Sequence, residues 1–149
     1  MSNDSPYYRR GELPGFIINQ AAKFITDLLH ENFKLENQEV TPEQWIILDE
    51  LWNTDGLSQL ELAKATFRQE TSTSRILNNL VKRNLVYRSK DPQDQRKNRI
   101  YLTEMGISLQ KDLIAIVNKT MNDAVAGVNE EELKTCLKVL NEISANISN

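Results

Sequence analysis

SQLELAKATFRQETSTSRILNNLVKR, residues Ser58–Arg83, decides the fold. Ser58 and Glu61 stand three apart as a capping box, in which hydroxyl and carboxylate each take up an amide left free at a helix start. Leu60, Leu62 and Ala63 then supply the apolar side of a short helix. After a break across residues 66–70, a second helix runs from about Thr71 to Arg83, with Ile76, Leu77, Leu80 and Val81 as its core face. Two short helices with a tight join, the second polar and basic on its outer side, make a helix-turn-helix candidate.

Downstream of this unit the period changes to two. Val86-Tyr87-Arg88 and Ile100-Tyr101-Leu102 alternate in and out around the turn-rich Asp91-Pro92-Gln93-Asp94-Gln95, which predicts a β-hairpin with a polar, basic tip. Thr103 caps a long helix carrying Met105, Leu109, Leu113, Ile116 and Met121, broken at Gly127. Asn129 opens a last helix with Leu133, Leu137, Leu140 and Ile147 at helical spacing. Upstream, Thr41-Pro42-Glu43-Gln44 combines a capping threonine, a proline suited to the first helical position and a capping-box glutamine. The helix it opens is expected to bury Trp45, Leu48 and Trp52. Before it, Ile17, Ala21, Phe24 and Leu28 share one face of a first helix, widened by Phe16 and Leu29. Residues 1–12 are polar and aperiodic.

The net charge of −3 hides an asymmetry. Residues 1–57 hold four Lys/Arg against ten Asp/Glu, residues 58–103 hold ten against four, and residues 104–149 hold four against seven. A basic middle between acidic ends points to one functional face, although a solvated surface would also carry such charge. The short apolar runs cannot span a bilayer, and Met1-Ser2-Asn3-Asp4-Ser5-Pro6 has no apolar leader, so the chain reads as cytoplasmic. The one histidine, His30, has no Cys/His cluster for a metal, and the one cysteine, Cys136, has no disulfide partner in the chain. Cys136 reads as a packed small hydrophobe, with an oxidant sensor as the alternative. With no nucleophile–base pair, paired-carboxylate site or phosphate loop, no catalytic residue, cofactor or metal site is assigned, and an enzyme is not expected. The apolar faces at both ends, extended by Ile114, Val117, Val125, Val139 and Ile143, exceed what one chain of 149 residues can cover. A two-fold dimer would cover them; the alternative is that these helices pack on each other.

Four stretches together resemble the MarR family, the multiple-antibiotic-resistance regulators of bacteria and archaea. They are Thr41-Pro42-Glu43-Gln44-Trp45-Ile46-Ile47-Leu48, Gly56-Leu57-Ser58-Gln59-Leu60-Glu61-Leu62-Ala63, Ser74-Arg75-Ile76-Leu77-Asn78-Asn79-Leu80-Val81, and Arg88 to Arg96 leading to Leu102-Thr103. The resemblance covers the chain from about Leu13 onward. It implies a mainly α fold with a small β-hairpin wing: a winged helix-turn-helix at residues 41–103, its wing at about 86–102, with dimerisation helices at residues 13–35 and 104–149. It also implies a homodimer reading pseudo-palindromic duplex DNA, the helix from Thr71 in the major groove and the hairpin tip in the flanking minor groove. Two positions depart from the family pattern. Asn84 stands where glycine is usual, but Asn tolerates the left-handed conformation of a helix C-cap. Ser74 stands where threonine is frequent.

Candidate DNA contacts follow. Thr71, Ser72, Thr73, Arg75, Asn78 and Asn79 lie on the expected recognition helix, where arginine suits a guanine edge and asparagine an adenine edge; for Asn78 and Asn79 a merely solvated surface is equally open. Ser58 and Gln59 begin the preceding helix, a site suited to a phosphate, although capping alone explains Ser58. On the wing, which also carries Lys90 and Arg99, Arg96 holds the position the family uses in the minor groove. Arg88 and Lys97 suit phosphates or plain surface, and Asp94 is expected to brace the tip by an ion pair. The function implied is a sequence-specific transcription regulator, a repressor released by a small-molecule effector. A small aromatic effector is expected between the dimer helices and the DNA-binding lobe, near Trp45, Phe24 and Phe16. The alternative is a winged-helix protein-interaction module without DNA binding.

Overall fold

The computed structural model describes residues 9–148, so the readings of the extreme N-terminus lie outside it. After a 3-10 turn at Arg10–Glu12 come α1 (Pro14–Leu35), α2 (Pro42–Asn53), β1 (Leu57–Ser58), α3 (Gln59–Ala65) and α4 (Glu70–Lys82). They are followed by β2 (Val86–Lys90), β3 (Asn98–Leu102), α5 (Glu104–Ser108), α6 (Gln110–Ala124) and α7 (Glu130–Ile147). The fold is mainly helical with one small antiparallel sheet in the order β1-β3-β2. In its register Val86 faces Leu102, Arg88 faces Ile100, and Leu57 faces Ile100 from the other side. The third strand is an addition to the hairpin expected from sequence; a two-residue strand has too few positions to show alternation.

Both capping boxes form. Thr41 Oγ1 accepts the Gln44 amide while Gln44 Oε1 accepts the Thr41 amide. Ser58 Oγ accepts the Glu61 amide while Glu61 Oε2 accepts the Ser58 amide at 2.7 Å. Helices α1, α3 and α4 end alike, each with a left-handed residue, Asn37, Phe67 and Asn84, followed by an amide bonded five residues back. Asn84 thus performs the turn for which glycine is usual.

One core runs through the lobe and into the arms. Ile47, Leu48, Leu51, Leu62, Leu77, Leu80, Val86 and Ile100 are continuous with Leu29 and Phe33 of α1 and Leu113 of α6. The buried stripe of α2 is Gln44, Ile47, Leu48 and Leu51, whereas Trp45 and Trp52, expected as core, pack half-buried on its edge. Trp52 turns instead toward α5, where its indole N–H meets the Gly106 carbonyl. Buried Thr120 joins α6 to α1 by accepting Asn32 Nδ2 at 2.8 Å.

The long helix expected after Thr103 is divided, because α5 and α6 meet end to end at Leu109. At α5 the helix lies directly on the root of the wing. A Cβ on Gly106 would fall on the Leu85 carbonyl oxygen, far inside contact, and the Gly106 carbonyl accepts the Trp52 indole N–H at 3.0 Å. Gly106→Ala is therefore expected to destabilise the chain by about 1–3 kcal/mol, the cost of overfilling a close contact. Urea denaturation measures it, and wild-type stability in this variant would mean that α5 can lift off Leu85 freely.

The outer arms are underfilled. No residue of α7 is buried, and on α1 only Leu29 and Phe33 are. Phe24 is 62% exposed and Leu137 53%. Cys136, read from sequence as packed, is exposed on α7.

A candidate nucleic-acid interface

The first turn of α2 fixes where α4 lies. Gln44 is buried; its Nε2 donates to Asn79 Oδ1 at 2.8 Å, and its Oε1 accepts Arg83 Nη1 at 3.1 Å. Next to it, Glu43 lies within ion-pair distance of Arg68 and Arg75, at 3.5 and 3.6 Å. With α4 held in this way, its period sends Thr71, Arg75, Asn78 and Asn79 outward, with Ser72 half-buried. Thr73 is a correction. It is fully buried, at the same helical phase as Ile76, Leu77 and Leu80, and its hydroxyl donates to the Gln69 carbonyl at 3.0 Å. Its side chain cannot reach a groove from there.

Between α2 and α4 lies an open cleft of about 510 Å³ lined by Thr71, Ser74, Arg75, Asn78, Asn79 and Lys82 from α4 and by Thr41, Glu43 and Gln44 from the start of α2. A smaller cleft of about 260 Å³ brings Ser58 and Gln59 together with Arg96, Lys97 and Asn98 of the wing and Glu70 at the start of α4. Candidate phosphate and minor-groove residues far apart in sequence thus share one concavity beside α4. At the head of α3, however, the Ser58 amide is already bonded to Glu61. That contact holds the Glu61 carboxyl below its usual range. Arg88 is half-buried on the face of β2 shared with Val86 and lines neither cleft.

The wing tip is built on two aspartates. Asp94 Oδ1 accepts the Arg96 amide at 3.1 Å and Arg96 Nε at 3.2 Å, the expected brace, with Arg96 otherwise 93% exposed. Asp91 was missed by the sequence reading and is the deeper support. It is buried; its Oδ1 accepts the Gln93 and Asp94 amides, and its Oδ2 accepts Arg99 Nε at 2.9 Å. Arg99 in turn donates to the Gly56 carbonyl at 2.8 Å. Arg99, one of the wing cations, is consequently an internal tie between the tip and the approach to β1. The signal that could have found Asp91 is the Asp-Pro-Gln spacing, since an aspartate readily bonds the amide two residues on.

The Asp91 carboxyl titrates below the 3.8 ordinary for aspartate, chiefly because the Gln93 N–H donates to the charged form, with Arg99 assisting. A value lowered by folding means that the ionised form stabilises the wing above the ordinary range. That contribution is lost as the pH falls through the lowered value. In an NMR titration the Gln93 amide shift is expected to inflect below pH 3.8, and Asp91→Asn to remove the inflection. An inflection at or above that pH would mean that the turn does not hold the charged carboxylate.

Comparison with known proteins agrees with this geometry. Residues 40–97 match the model of the MarR family, from the end of the first loop to the tip of the wing, stopping short of β3. A probable transcriptional regulator from Pseudomonas aeruginosa is 26% identical, with a TM-score of 0.82 over 91% of this chain and 99% of that one. MepR of S. aureus, solved as a DNA complex, is also 26% identical, with a TM-score of 0.82 over 91% of this chain and 98% of that one. BpsR of Bordetella bronchiseptica, described for the regulation of its DNA binding by 6-hydroxynicotinic acid, shares the fold at 22% identity, with a TM-score of 0.85 over 94% of this chain and 98% of that one. Residues 40–97 are thus similar to the MarR family, and the fold that carries them is shared with these regulators.

Proposed function

We propose that the chain is a homodimeric, sequence-specific DNA-binding regulator, a repressor whose operator affinity is set by a small-molecule effector, and that it catalyses no reaction. The observation that carries this reading is the meeting of the wing cations Arg96 and Lys97 with the heads of α3 and α4. Beside them stand the outward side chains of α4. Residues 41–103 form the DNA-reading lobe in this proposal, and residues 13–35 and 104–149 form the dimer. Arg75 and, from the same face, Asn78 read base edges, Asn79 adds only its amide donor because its Oδ1 is taken up by Gln44, and Thr71 and Ser72 stand alongside at the N-terminal end that dips deepest. Arg96 enters the flanking minor groove, and Ser58, Gln59, Lys97 and Arg88 bind phosphates.

Dimerisation is supported by the arms. Large apolar side chains of α1, α6 and α7, among them Phe24, Ile114, Leu137 and Val139, are open to solvent in the single chain. A second copy is the natural cover for such faces at both ends of one chain. Among the described residues, no helix is long and apolar enough to cross a membrane.

For the effector, the cleft at the junction of α1 and α6, about 570 Å³, is the better candidate. Its lining of Asn32, Leu35, Glu36, Gln38, Asp112, Ala115, Ile116 and Lys119 differs from the aromatic set expected from sequence. Phe16, Phe24 and Trp45 do not line it. Lys119 suits an organic acid such as the one named for the Bordetella protein, although it is paired to Asp123 at 2.9 Å.

Light scattering is expected to give about twice the chain mass of 17.2 kDa, and removing residues 129–149 to abolish dimerisation and DNA binding together. A monomer at high concentration would remove the basis for palindrome reading. On duplexes selected from a random pool, Arg75→Ala is expected to cost about 1–3 kcal/mol per contact and much less on random DNA. Arg96→Ala is expected to relax the preference for A·T-rich flanks, with a salt slope shallower by up to about two. If both variants bind as wild type does on every duplex, the protein-interaction reading takes first place.

A further inference from the structure

Glu43 occupies the first turn of α2, beside the buried Gln44 that holds α4. Its two carboxylate oxygens point to two different guanidinium groups. Oε1 lies 3.5 Å from Arg68 Nη1, and Oε2 lies 3.6 Å from Arg75 Nη2. The two arginines are unlike. Arg68, in the turn between α3 and α4, is 26% exposed at its side chain, its Nε is buried with no partner among the described residues, and its amide is bonded to the Ala63 carbonyl. Arg75 is 73% exposed and stands on the outer side of α4. A half-sheltered ion pair is less screened by water and salt than an open one. Arg68 therefore anchors the carboxylate on its inner side and leaves the second oxygen turned toward the exposed arginine.

We propose that Glu43 is a specificity-determining positioning residue: it restrains the Arg75 guanidinium on the recognition helix and discounts its attraction to arbitrary phosphates. This rests on Arg75 as the base-reading residue. An unrestrained exposed arginine is drawn to any phosphate, which strengthens binding to every sequence and discriminates none. A carboxylate at ion-pair distance offsets that attraction on random DNA. On the correct site the arginine exchanges the carboxylate for a bidentate contact with a base edge, and it starts from a restricted set of orientations, so less freedom is lost on docking. Discrimination then comes as much from weakening the wrong complex as from strengthening the right one.

The test uses the full-length protein and two probes, the duplex recovered by selection from a random pool and a random-sequence duplex of the same length. Binding isotherms at several salt concentrations are compared for wild type, Glu43→Gln, Arg75→Ala and the double variant. Glu43→Gln is expected to tighten binding to the random duplex, with a steeper salt slope, and to lower the specificity ratio roughly three- to tenfold, the scale of one partly exposed ion pair lost in each lobe. In the Arg75→Ala background the same substitution should leave the ratio unchanged. NMR order parameters of the Arg75 Nε–Hε group in the free protein should fall in Glu43→Gln. Glu43→Asp, which keeps the charge on a shorter reach, should move the ratio the same way by less, and it replaces Glu43→Gln if that variant melts early. The proposal is overturned if Glu43→Gln leaves the ratio unchanged, shifts both duplexes equally, or acts alike with and without Arg75. If Arg75→Ala itself leaves the ratio untouched, the base-reading assignment fails first, and that outcome is separate from the others.

Discussion

The side-chain amide of Gln44 closes the first turn of α2 through its oxygen, which also accepts Arg83 at the end of α4, while its nitrogen holds Asn79 of α4. A buried amide is tolerated only when its donors and acceptors are met, and here Thr41, Asn79 and Arg83 meet them. Because those partners sit at the start of α2 and on the last turn and cap of α4, the condition for burying Gln44 is also the condition that sets the angle between the two helices. Leu77 and Leu80 can then pack onto Ile47, Leu48 and Leu51, and the outward phase of α4 is fixed as a result. A purely apolar contact at this point would leave α4 free to rotate by part of a turn at little cost, since hydrophobic burial has no direction.

The charge of the middle segment is spent in two ways. Read as a total, ten cations in residues 58–103 describe one basic face. In the folded chain, Arg68 turns to Glu43, Arg83 to Gln44 and Arg99 to Asp91, so part of the positive charge fastens the turn, the end of α4 and the wing from within. Arg75, Arg96 and Lys97 are the exposed remainder most relevant to a polyanion. The electrostatic footprint is thus smaller and more localised than composition suggests, and its position depends on how well the internal pairs hold.

Local rules were legible in the sequence and long-range ones were not. The capping boxes at Thr41 and Ser58 and the left-handed turn at Asn84 involve neighbours within a few positions, and all three formed as their residue types dictate. Thr73 could have been placed correctly from its spacing to Ile76, Leu77 and Leu80; its polar side chain and its place on the recognition helix pulled the assignment outward. Asp91 bonds only neighbours within eight residues, whereas the short β1 and the edge position of Trp52 depend on partners 43 and 54 residues away, Ile100 opposite Leu57 and Gly106 at the Trp52 indole, which periodicity does not report. The cleft between α1 and α6 is in the same class, because it exists only once Asn32 and Thr120 have met.

The contact at Gly106 has a mechanical meaning. There the helical arm presses on the chain at Leu85, where α4 gives way to the wing, with no side chain between to act as a cushion. A joint without slack transmits displacement instead of absorbing it, so a shift of α5 is passed to the chain at Leu85. Trp52 bonds the carbonyl at that same point and sits partly open to solvent. An indole is thus built into the joint itself, where its surroundings include both α2 and α5.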